Sequence, residues 1–492
     1  MDIPTEIPDG WGVSFLEAYL IAEWLLRIGL SIVVLARKRT PSAAIAWLLL
    51  IFFQPVIGAI AYFMIGEVTL GRRRIKSYRN CLEQIDAQSA CGVVPDPSVI
   101  NPEIDDRYRQ IALLAEAYGA CPPLGRNDFS LTNEPQEMIE ALVADIDASQ
   151  RSVHLLYYIF NVDEMGKLVA DALRRAQKRG VHCRLLVDGA GSRPFLQDDL
   201  SKDLREAGVA VTEALPVKSL RARVERLDLR NHRKVAVIDG VVAYTGSQNI
   251  SSPYYPGKKQ FGAWHDASVR VTGPIVAQLE QLFVQDWYLD TDDFVHEPPI
   301  EGFESQWSNP GITAQLLPMG PLTEAAPLPS IILEALHSAR NEAVFTTPYF
   351  VPDDATIAAL RSAARRGIEV HLVVPKKSDN WFAQAAGRSY YGELLDSGVV
   401  IHEFDGGLLH SKTLTVDNDF ALIGSANLDI RSFLLNFELG LLIYDDNFSS
   451  ELRYLQQYYM EQSEPLTHIA WKKRGWHQRM GDNLAKLTSP LM

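Results

Sequence analysis

One short polar pattern occurs twice in the sequence: a histidine, one residue, a lysine, four residues and an aspartate. The two copies consist of His232, Lys234 and Asp239, and of His410, Lys412 and Asp417. With 11 histidines in 492 residues, chance supplies on the order of 0.03 matches to such a pattern. A single copy would be typical of a core histidine and a lysine on an ordinary strand. Two copies, each followed by Gly-Ser-x-Asn, predict one site assembled from two halves.

Paired imidazoles and ammonium groups suit phosphodiester chemistry. One imidazole can attack the phosphorus while the other protonates the departing group. Ammonium groups and amide side chains can bind the phosphoryl oxygens and stabilise charge in the transition state. The candidates for this binding role in the two Gly-Ser-x-Asn segments are Ser247, Asn249, Ser425 and Asn427. No carboxylate cluster with metal-ligand spacing accompanies the pattern, so we expect a mechanism without a metal or cofactor.

The charged residues around the motifs are expected to act indirectly. Asp239 and Asp417 stand at the far ends of the motif strands, where they are expected to fix the local backbone. Asp266 and Glu438 follow the two motifs and are expected to orient an imidazole; the alternative for each is an ordinary acid at a strand edge. For Arg431 the sequence leaves open a contact with a substrate phosphate and a pairing with a nearby acid.

The motifs lie within duplicated secondary structure. Residues 153–188 and 343–375 each contain a short apolar strand, an amphipathic helix that ends at a glycine (Gly180 and Gly367), and a second apolar strand. Wholly apolar strands are typical of buried parallel sheets, so each copy predicts a βαβ unit. Asp, Asn and Gly residues after each motif predict a hairpin turn. The fold class is therefore α/β, with two similar lobes of mixed sheet flanked by helices.

The first 75 residues are far more apolar than the rest. Segments 14–35 and 42–65 are each long enough to cross a hydrocarbon core of about 30 Å. The second contains Gln54-Pro55, which predicts a kink, and the first contains three ionisable residues. The sequence favours a membrane hairpin of two spans. The alternatives are one span preceded by an interfacial helix, and a hairpin that enters one leaflet without crossing.

Basic residues flank the second apolar segment on both sides. Residues 37–39 form one cluster, and a larger one lies within residues 72–79. Because positive charge favours the cytoplasmic side, and the larger cluster precedes the bulk of the chain, the catalytic portion is expected to face the cytoplasm. No lysine or arginine precedes Arg27, which disfavours a cleaved signal peptide.

These observations predict five regions. They are a membrane hairpin (1–75), a connecting segment with a helix near 103–118 (76–125), a first lobe (126–300), a second lobe (301–480) and a C-terminal tail (481–492).

Composition narrows the class of protein. The chain has 47 Lys+Arg, 61 Asp+Glu and a formal net charge of −14, with 47% hydrophobic residues. This excludes a disordered chain and disfavours a nucleic-acid partner. The four cysteines show no zinc or disulfide spacing. Basic residues within 218–234 are expected to attract anionic headgroups, unless they pair with acids. The Trp- and Lys-containing stretch after residue 470 fits either an interfacial segment or a helix packed on the second lobe.

The duplicated pattern resembles the HxKxxxxD signature of the phospholipase D superfamily. The likeness narrows to bacterial cardiolipin synthases through the N-terminal apolar hairpin, the stretches RNHRK and AYTGSQN, and HSKTLTVD followed by GSANLDIRSFLLNFELGLLIYD. It extends over essentially the whole chain, and all six motif positions agree with the signature.

The resemblance implies a phosphatidyltransferase in the bacterial inner membrane. One phosphatidylglycerol would lose glycerol to form a phosphatidyl-histidine, and a second would capture the phosphatidyl group in a reversible transfer that gives cardiolipin. By superfamily analogy His232 is the nucleophile and His410 the acid and base, although the sequence itself does not distinguish them. The implied partners are phosphatidylglycerol and anionic membrane lipid, with no nucleic acid.

The main alternative is a phospholipase D-type hydrolase. No residue pattern reveals whether water or a lipid hydroxyl captures the intermediate. A nuclease is disfavoured by the net acidity, because a long polyanion favours a basic groove. An inactive membrane scaffold would not need two intact motifs. The use of phosphatidylethanolamine, the acyl-chain preference and the oligomeric state are left open.

Overall fold

The computed structural model describes residues 9–37, 41–66, 71–89, 97–100, 102–216, 228–295, 307, 310–322 and 326–488. Its helices are α1 (Asp9–Ala36), α2 (Pro41–Phe53), α3 (Pro55–Ala61), α4 (Gly71–Ser89), α5 (Pro97–Ile100), α6 (Asp106–Ala117), α7 (Pro135–Ala148), α8 (Glu164–Lys178), α9 (Arg193–Gln197), α10 (Asp199–Glu206), α11 (Ile275–Thr291), α12 (Pro327–Ser338), α13 (Asp354–Arg365), α14 (Trp381–Leu395), α15 (Ile430–Leu434), α16 (Asp446–Glu461), α17 (His468–Lys472) and α18 (Trp476–Thr488). A π-helical turn (Tyr62–Gly66) follows α3.

The strands are β1 (Leu124–Thr132), β2 (Ser152–Tyr157), β3 (His182–Asp188), β4 (Ala210–Ala214), β5 (Lys234–Ile238), β6 (Val242–Gly246), β7 (Trp264–His265), β8 (Ser268–Thr272), β9 (Ile312–Met319), β10 (Glu342–Thr346), β11 (Phe350–Val351), β12 (Glu369–Pro375), β13 (Val400–Phe404), β14 (Leu408–Leu409), β15 (Thr413–Val416), β16 (Phe420–Gly424), β17 (Leu428–Asp429), β18 (Glu438–Tyr444) and β19 (Ser463–Pro465).

Fifteen strands form one sheet whose two halves repeat each other. The strand order is β19-β13-β12-β10-β15-β16-β18-β9-β1-β8-β6-β5-β2-β3-β4, and the halves join where β1 and β9 pair antiparallel. In each half two parallel neighbours, β2–β3 and β10–β12, lie beside an antiparallel motif hairpin, β5–β6 and β15–β16. The predicted α/β fold with two similar mixed-sheet lobes is confirmed.

The predicted local signals account for the ends of these elements. α8 and α13 each begin after an aspartate whose carboxylate accepts a hydrogen bond from a backbone N–H in the first turn (Asp163 and Asp353). Both helices end two residues before a glycine with positive φ, Gly180 at 90° and Gly367 at 93°, a conformation that glycine adopts without a steric penalty. The sequence therefore fixes where each crossover turns back to the sheet.

Helices cover both faces of the sheet. α11 and α16 pack on one face in a core shared by the two halves, with Phe283, Leu439 and Phe448 among its buried residues. On the other face α7 and α8 cover the first half, and α12 and α13 cover the second. The shared core holds the two halves in a fixed relation, which a site built from both of them requires.

The second apolar segment of the N-terminus reverses direction instead of continuing as one kinked helix. Gln54 breaks the helix with φ −140° and ψ 73°. Beyond the break, the rings of Trp47 and Tyr62 meet edge to face with centroids 5.3 Å apart. A Cβ atom on Gly58 would lie 2.9 Å from the Cα atom of Ile51. α2 and α3 therefore run side by side in opposite directions. Within the described residues, only Ser14–Ala36 is long and apolar enough to cross a membrane.

Two further helices attach the chain ends to the lobes. α4 docks on α11, where Arg74 pairs with Asp290 at 2.6 Å and Ser77 donates to Asp292 at 3.1 Å. At the other end α18 lies along α14 and buries Ala485. Both contacts fix these terminal helices against the catalytic lobes.

Candidate active site

Each motif histidine lies beside a backbone segment of the opposite half. The N–H of His232 donates to the carbonyl of Phe437 at 2.8 Å, and the N–H of His410 donates to the carbonyl of His265 at 2.8 Å. β14 pairs parallel with β7 directly before His410. Glu438 follows Phe437, and Asp266 follows His265. These two acids therefore come next to the imidazoles.

The imidazoles consequently contact carboxylates in a crossed arrangement. Nδ1 of His410 is hydrogen-bonded to Oδ1 of Asp266 at 2.6 Å. Nδ1 of His232 lies 3.1 Å from Oε1 of Glu438, a contact that does not meet hydrogen-bond geometry. Both acids thus lie where an orienting group is needed, each serving the histidine of the other half. A carboxylate at Nδ1 leaves Nε2 as the nitrogen available to a substrate.

The two serines support these carboxylates. Ser247 donates to Asp266 at 2.6 Å, and Ser425 donates to Glu438 at 2.5 Å. Each serine hydroxyl in turn accepts the backbone N–H after the acid, from Ala267 and from Leu439. The serines therefore hold the acids in place. Neither serine lines the pocket described below, and the substrate contact expected for them stays a prediction.

The two asparagines lie at the pocket itself. The Asn249 amide donates to Tyr255 at 3.0 Å and accepts from the backbone N–H of Ile159 at 3.1 Å. Asn427 lines the same pocket, and its Oδ1 has no hydrogen-bond partner among the described residues. Asn427 therefore has a buried acceptor without a protein partner at the pocket, whereas the amide of Asn249 is engaged as donor and as acceptor.

The two lysines are almost completely buried beside the imidazoles. The Nζ atoms of Lys234 and Lys412 donate to the carbonyls of His232 and His410, each at 2.6 Å. An ammonium has three N–H groups, so each lysine keeps two for a phosphoryl oxygen. Burial lowers the pKa of Lys234 to about 8 and that of Lys412 to about 7.

Burial also lowers the pKa of both histidines, to about 4 for His410. Burial opposes the charge of Asp266, yet His410, Lys412 and the hydroxyl of Ser247 outweigh it and hold the carboxyl pKa at about 2. Glu438 shows the same balance, with a lowered pKa. Near neutral pH the ligand-free site therefore contains neutral imidazoles that face carboxylates, the state that a nucleophile requires.

Asp239 and Asp417 lie away from the pocket. Asp239 accepts hydrogen bonds from three consecutive backbone N–H groups, of residues 150–152, at 2.8 to 2.9 Å. Asp417 does the same with residues 340–342 and also pairs with Arg107 at 3.2 Å. Both adopt positive φ. Each aspartate ties its motif hairpin to the turn that precedes β2 or β10.

A pocket of about 300 Å³ opens onto both imidazoles. Sequence reasoning missed several residues that line it, namely Tyr158, Lys258, Trp264, Tyr349, Asp379, Asn380 and Asn436. The Tyr158 ring contacts His232 at a tilt, with centroids 4.2 Å apart and an interplanar angle of 52°, and the Trp264 ring lies 4.8 Å from that of His410. Tyr158 follows the first strand of its βαβ unit, a position at which polar residues reach a site, and this signal was available in the sequence.

Arg431 pairs with a nearby acid, one of its two expected roles, and also lies at the pocket, while a contact with a substrate phosphate stays a prediction. It lines the pocket, donates to the carbonyl of Asp228 at 2.7 Å and pairs with the carboxylate of the same residue at 3.2 Å. Of the basic stretch 218–234, residues up to 227 lie outside the described residues. Arg233 is buried and pairs with Asp286 at 2.6 Å. It therefore forms an ion pair inside the protein and does not attract headgroups.

Within the described residues, one group of three side chains is spaced to hold a metal ion: Glu342, Glu369 and His371. Glu342 already accepts two hydrogen bonds from Arg453, at 2.6 and 2.7 Å. None of the three lines the pocket. The donor set at the imidazoles consists of ammonium, amide and imidazole groups, which suit phosphoryl oxygens.

Comparison with known proteins agrees with this geometry. The family model described as the phospholipase D-like domain of cardiolipin synthase matches residues 142–287 and 332–458, and an N-terminal phospholipase D-nuclease model matches residues 26–67. Cardiolipin synthase A of Erwinia tasmaniensis is 36% identical over 474 residues, which cover 95% of this chain and 97% of that protein. The chain belongs to the cardiolipin synthase family of the phospholipase D superfamily.

Other cardiolipin synthases are equally similar. The protein named cardiolipin synthase A from Yersinia pseudotuberculosis is 36% identical over 489 residues, 98% of this chain and 99% of that protein. Among solved structures, phosphatidylserine synthase of Haemophilus influenzae Rd KW20 superimposes with a TM-score of 0.56 and 16% identity, covering 74% of this chain and 95% of that one. This last similarity supports the fold alone. The chain associates with the membrane, as its family and its N-terminal apolar helix indicate.

Proposed function

We propose that the protein is a cardiolipin synthase that joins two phosphatidylglycerol molecules and releases glycerol. The observation that carries the proposal is the crossed pair of imidazoles, each facing a carboxylate of the opposite half across one pocket. The full-length similarity to proteins named cardiolipin synthase A supports the same activity. The two halves that build the pocket are proposed to be residues 126–300 and 301–480.

In the first step, Nε2 of His232 attacks the phosphorus of the donor phosphatidylglycerol. The new P–N bond forms as the P–O bond to glycerol breaks, and the protonated His410 gives its proton to the departing oxygen. Lys234, Lys412 and Asn427 bind the phosphoryl oxygens and stabilise the charge of the transition state. Binding of the phosphate anion raises the pKa of His410, because a nearby negative charge favours the imidazolium.

In the second step, the now neutral His410 takes the proton of a primary hydroxyl on a second phosphatidylglycerol. The hydroxyl oxygen forms the new P–O bond as the P–N bond to His232 breaks. Cardiolipin leaves, and His410 is again protonated for the next turnover. Each step is the reverse of the other in its proton movements, so the transfer is reversible.

The test is product analysis with the detergent-solubilised protein and phosphatidylglycerol as the only lipid. Cardiolipin and glycerol should appear in equal amounts, and their formation should persist in EDTA. Phosphatidic acid as the main product would overturn the proposal in favour of a hydrolase. Loss of activity on chelation would overturn the metal-free mechanism.

The proposed location is the bacterial inner membrane, with the catalytic portion facing the cytoplasm. α1 is proposed to cross once, and α2 with α3 to enter and leave on the same side. α2 has 13 residues and α3 has 7, so α2 extends about 20 Å, short of the roughly 30 Å core. This arrangement puts both basic clusters on one side, as the positive-inside rule favours.

Single cysteines test this topology in a background whose native cysteines are replaced and whose activity is retained. A membrane-impermeant maleimide applied to intact cells should label Thr5→Cys, whereas Thr40→Cys and Thr69→Cys should react only after the inner membrane is opened. Labelling of positions 40 and 69 from opposite sides would contradict the re-entrant arrangement and support two spans.

A further inference from the structure

We propose that Lys258, Trp264 and the start of α14 bind the phosphate of the acceptor phospholipid. The inference rests on the proposed function and names a subsite within it. In the product two phosphates are joined by one glycerol, so the acceptor must carry its own phosphate into the pocket next to the reacting one. That second anion needs a binding group on the side where His410 exchanges protons with glycerol.

The cation on that side is Lys258. Its Nζ lies 5.2 Å from the centre of the Trp264 ring, and that ring lies 4.8 Å from the imidazole of His410. The Lys258 side chain is 41% exposed, at the pocket wall. It donates to Asp379 at 2.5 Å, which leaves two of its three N–H groups for another acceptor.

A second donor in this wall lacks a partner. Nε1 of Trp264 is buried and makes no hydrogen bond to any residue that the structure describes. The residue is 4% exposed, and its side chain lines the pocket. An unpaired buried N–H costs free energy, and a phosphate oxygen would accept its hydrogen bond.

The start of α14 adds a favourable field. Asn380 caps this helix of 15 residues, and both Asn380 and Ala383 line the pocket. The positive end of a helix dipole stabilises an anion nearby. Asp379, just before the helix, opposes an anion here, and it is held by Lys258 and by the hydroxyl of Tyr349 at 2.6 Å. Lys258 therefore both binds the incoming phosphate and neutralises Asp379.

The test separates the two half-reactions. Exchange of radiolabelled glycerol into phosphatidylglycerol requires the phosphatidyl-enzyme but no second phospholipid, whereas cardiolipin formation requires both. Lys258→Ala should raise the KM for phosphatidylglycerol in cardiolipin formation by about ten- to a hundredfold, while its exchange rate falls far less. Lys258→Arg should recover most of the loss. The neighbouring Lys259→Ala, an exposed lysine outside the pocket lining, should match the wild type.

Further results test the proposed acceptor subsite. The double variant Lys258→Ala with Asp379→Asn should be less impaired than Lys258→Ala alone, since the uncompensated carboxylate is gone. An equal loss of exchange and cardiolipin formation in Lys258→Ala would overturn the subsite. Absence of both reactions in the wild type would instead refute the proposed function.

We also propose, from a different observation, that α18 docks into the membrane surface beside the pocket mouth. Four large apolar side chains of this helix are exposed, by 50 to 70%: Trp476, Met480, Leu484 and Leu487. Their spacing of three and four residues puts them on one stripe. Ala485, on the opposite face of the helix, is buried.

The buried face connects this stripe to the active site. Ala485 packs with Val351 and Ala383, both of which line the pocket. Trp381, at the start of α14, is 75% exposed. Basic residues flank the stripe within the same C-terminal segment, among them Lys472, Lys473 and Arg479. An exposed apolar stripe with basic flanks is typical of interfacial helices on anionic lipid. Docking of this stripe would bring the pocket mouth to the lipid headgroups.

Docking of α18 into the membrane is tested by comparing activity on bilayer phosphatidylglycerol with activity on a dispersed short-chain form. Leu484→Asp with Leu487→Asp should lower activity on phosphatidylglycerol in bilayers by about tenfold or more, and leave activity on dispersed short-chain phosphatidylglycerol unchanged. Leu168→Asp, at a comparably exposed leucine of α8, should alter neither. An equal loss on both substrates, or a change in oligomeric mass that indicates a second copy on the stripe, would overturn membrane docking.

Discussion

The two halves of the active site carry the same motif in different surroundings. The His232 side chain is 14% exposed, contacts the ring of Tyr158 at a tilt and lies 3.1 Å from Glu438. The His410 side chain is 7% exposed and makes a hydrogen bond of 2.6 Å to Asp266. Duplication supplies two imidazoles with equivalent backbones. The surroundings then make one more accessible and the other more firmly held.

This difference matches a division of labour. A nucleophile must reach the phosphorus, which favours the more exposed His232. A proton carrier must keep one orientation through two steps, which favours the His410 imidazole bonded to Asp266. The residues two positions before the two acids also differ, Trp264 in one half and Asn436 in the other. The pocket is therefore asymmetric where the donor and acceptor glycerols must be told apart.

The largest expected effect comes from removing either imidazole. His232→Ala and His410→Ala should each abolish cardiolipin formation, by at least about a thousandfold. A phosphatidyl ester of p-nitrophenol, whose leaving group needs no proton, separates the roles: His410→Ala should still release p-nitrophenol, and His232→Ala should not. The opposite result would reverse the assignment of nucleophile and acid.

The next largest effect concerns the carboxylates. Asp266→Asn and Glu438→Gln keep the side-chain shape but remove the acceptor that fixes the Nδ1 proton, a change that costs up to about 10⁴-fold in other histidine enzymes. Because Asp266 makes a well-formed hydrogen bond to its imidazole and Glu438 does not, Asp266→Asn should reduce kcat more than Glu438→Gln. Thermal unfolding serves as the control for stability. Equal losses would show that the 3.1 Å contact tightens when substrate binds.

The sequence predicts the features of the site that follow local rules, but not those that depend on how the two halves meet. The βαβ units, their terminal glycines and the motif hairpins follow local rules, and the sequence predicted them. The crossing of Glu438 to His232 and of Asp266 to His410 depends on how the halves meet through β1 and β9, which no local pattern specifies. The sequence thus pointed to the two acids that lie beside the imidazoles, without revealing which histidine each one faces.

Two other features were not predicted, because they too depend on tertiary contacts. Lys258 and Asp379 come together only because the halves face each other across the pocket, 121 residues apart. The reversal at Gln54 was expected as a kink, because proline predicts a break but not the angle that follows it. That angle depends on contacts such as Trp47 with Tyr62, which are tertiary.

A smaller effect should appear with pH. Burial sets the pKa at about 7 for Lys412 and about 8 for Lys234. As pH rises through these values the ammonium groups lose their protons, and the site loses attraction for the phosphate anion. Values of kcat/KM, which report groups of the free enzyme, should therefore fall from pH 7 to pH 9, with the second half losing its charge first. A profile that stays flat to pH 10 would show that both lysines remain charged.

The smallest effect on chemistry should come from the two motif aspartates. Asp239 and Asp417 each accept three backbone N–H bonds away from the pocket, and Asp417 also forms an ion pair with Arg107. Alanine at either position leaves these donors unpaired, at a cost of about 1–3 kcal/mol for each donor that water does not reach. Both changes should lower the unfolding temperature, Asp417→Ala more than Asp239→Ala.

The ratio of cardiolipin formation to glycerol exchange decides whether this loss is structural. A purely structural aspartate lowers both reactions together, in proportion to the folded fraction, and leaves their pH profile unchanged. If Asp239→Ala slowed turnover at temperatures where the protein is fully folded, the hairpin it fixes would be setting the position of Lys234 and His232. Both aspartates have positive φ, a conformation that Asn tolerates. Substitution by Asn is therefore the matched control, because it keeps the turn while it removes the charge.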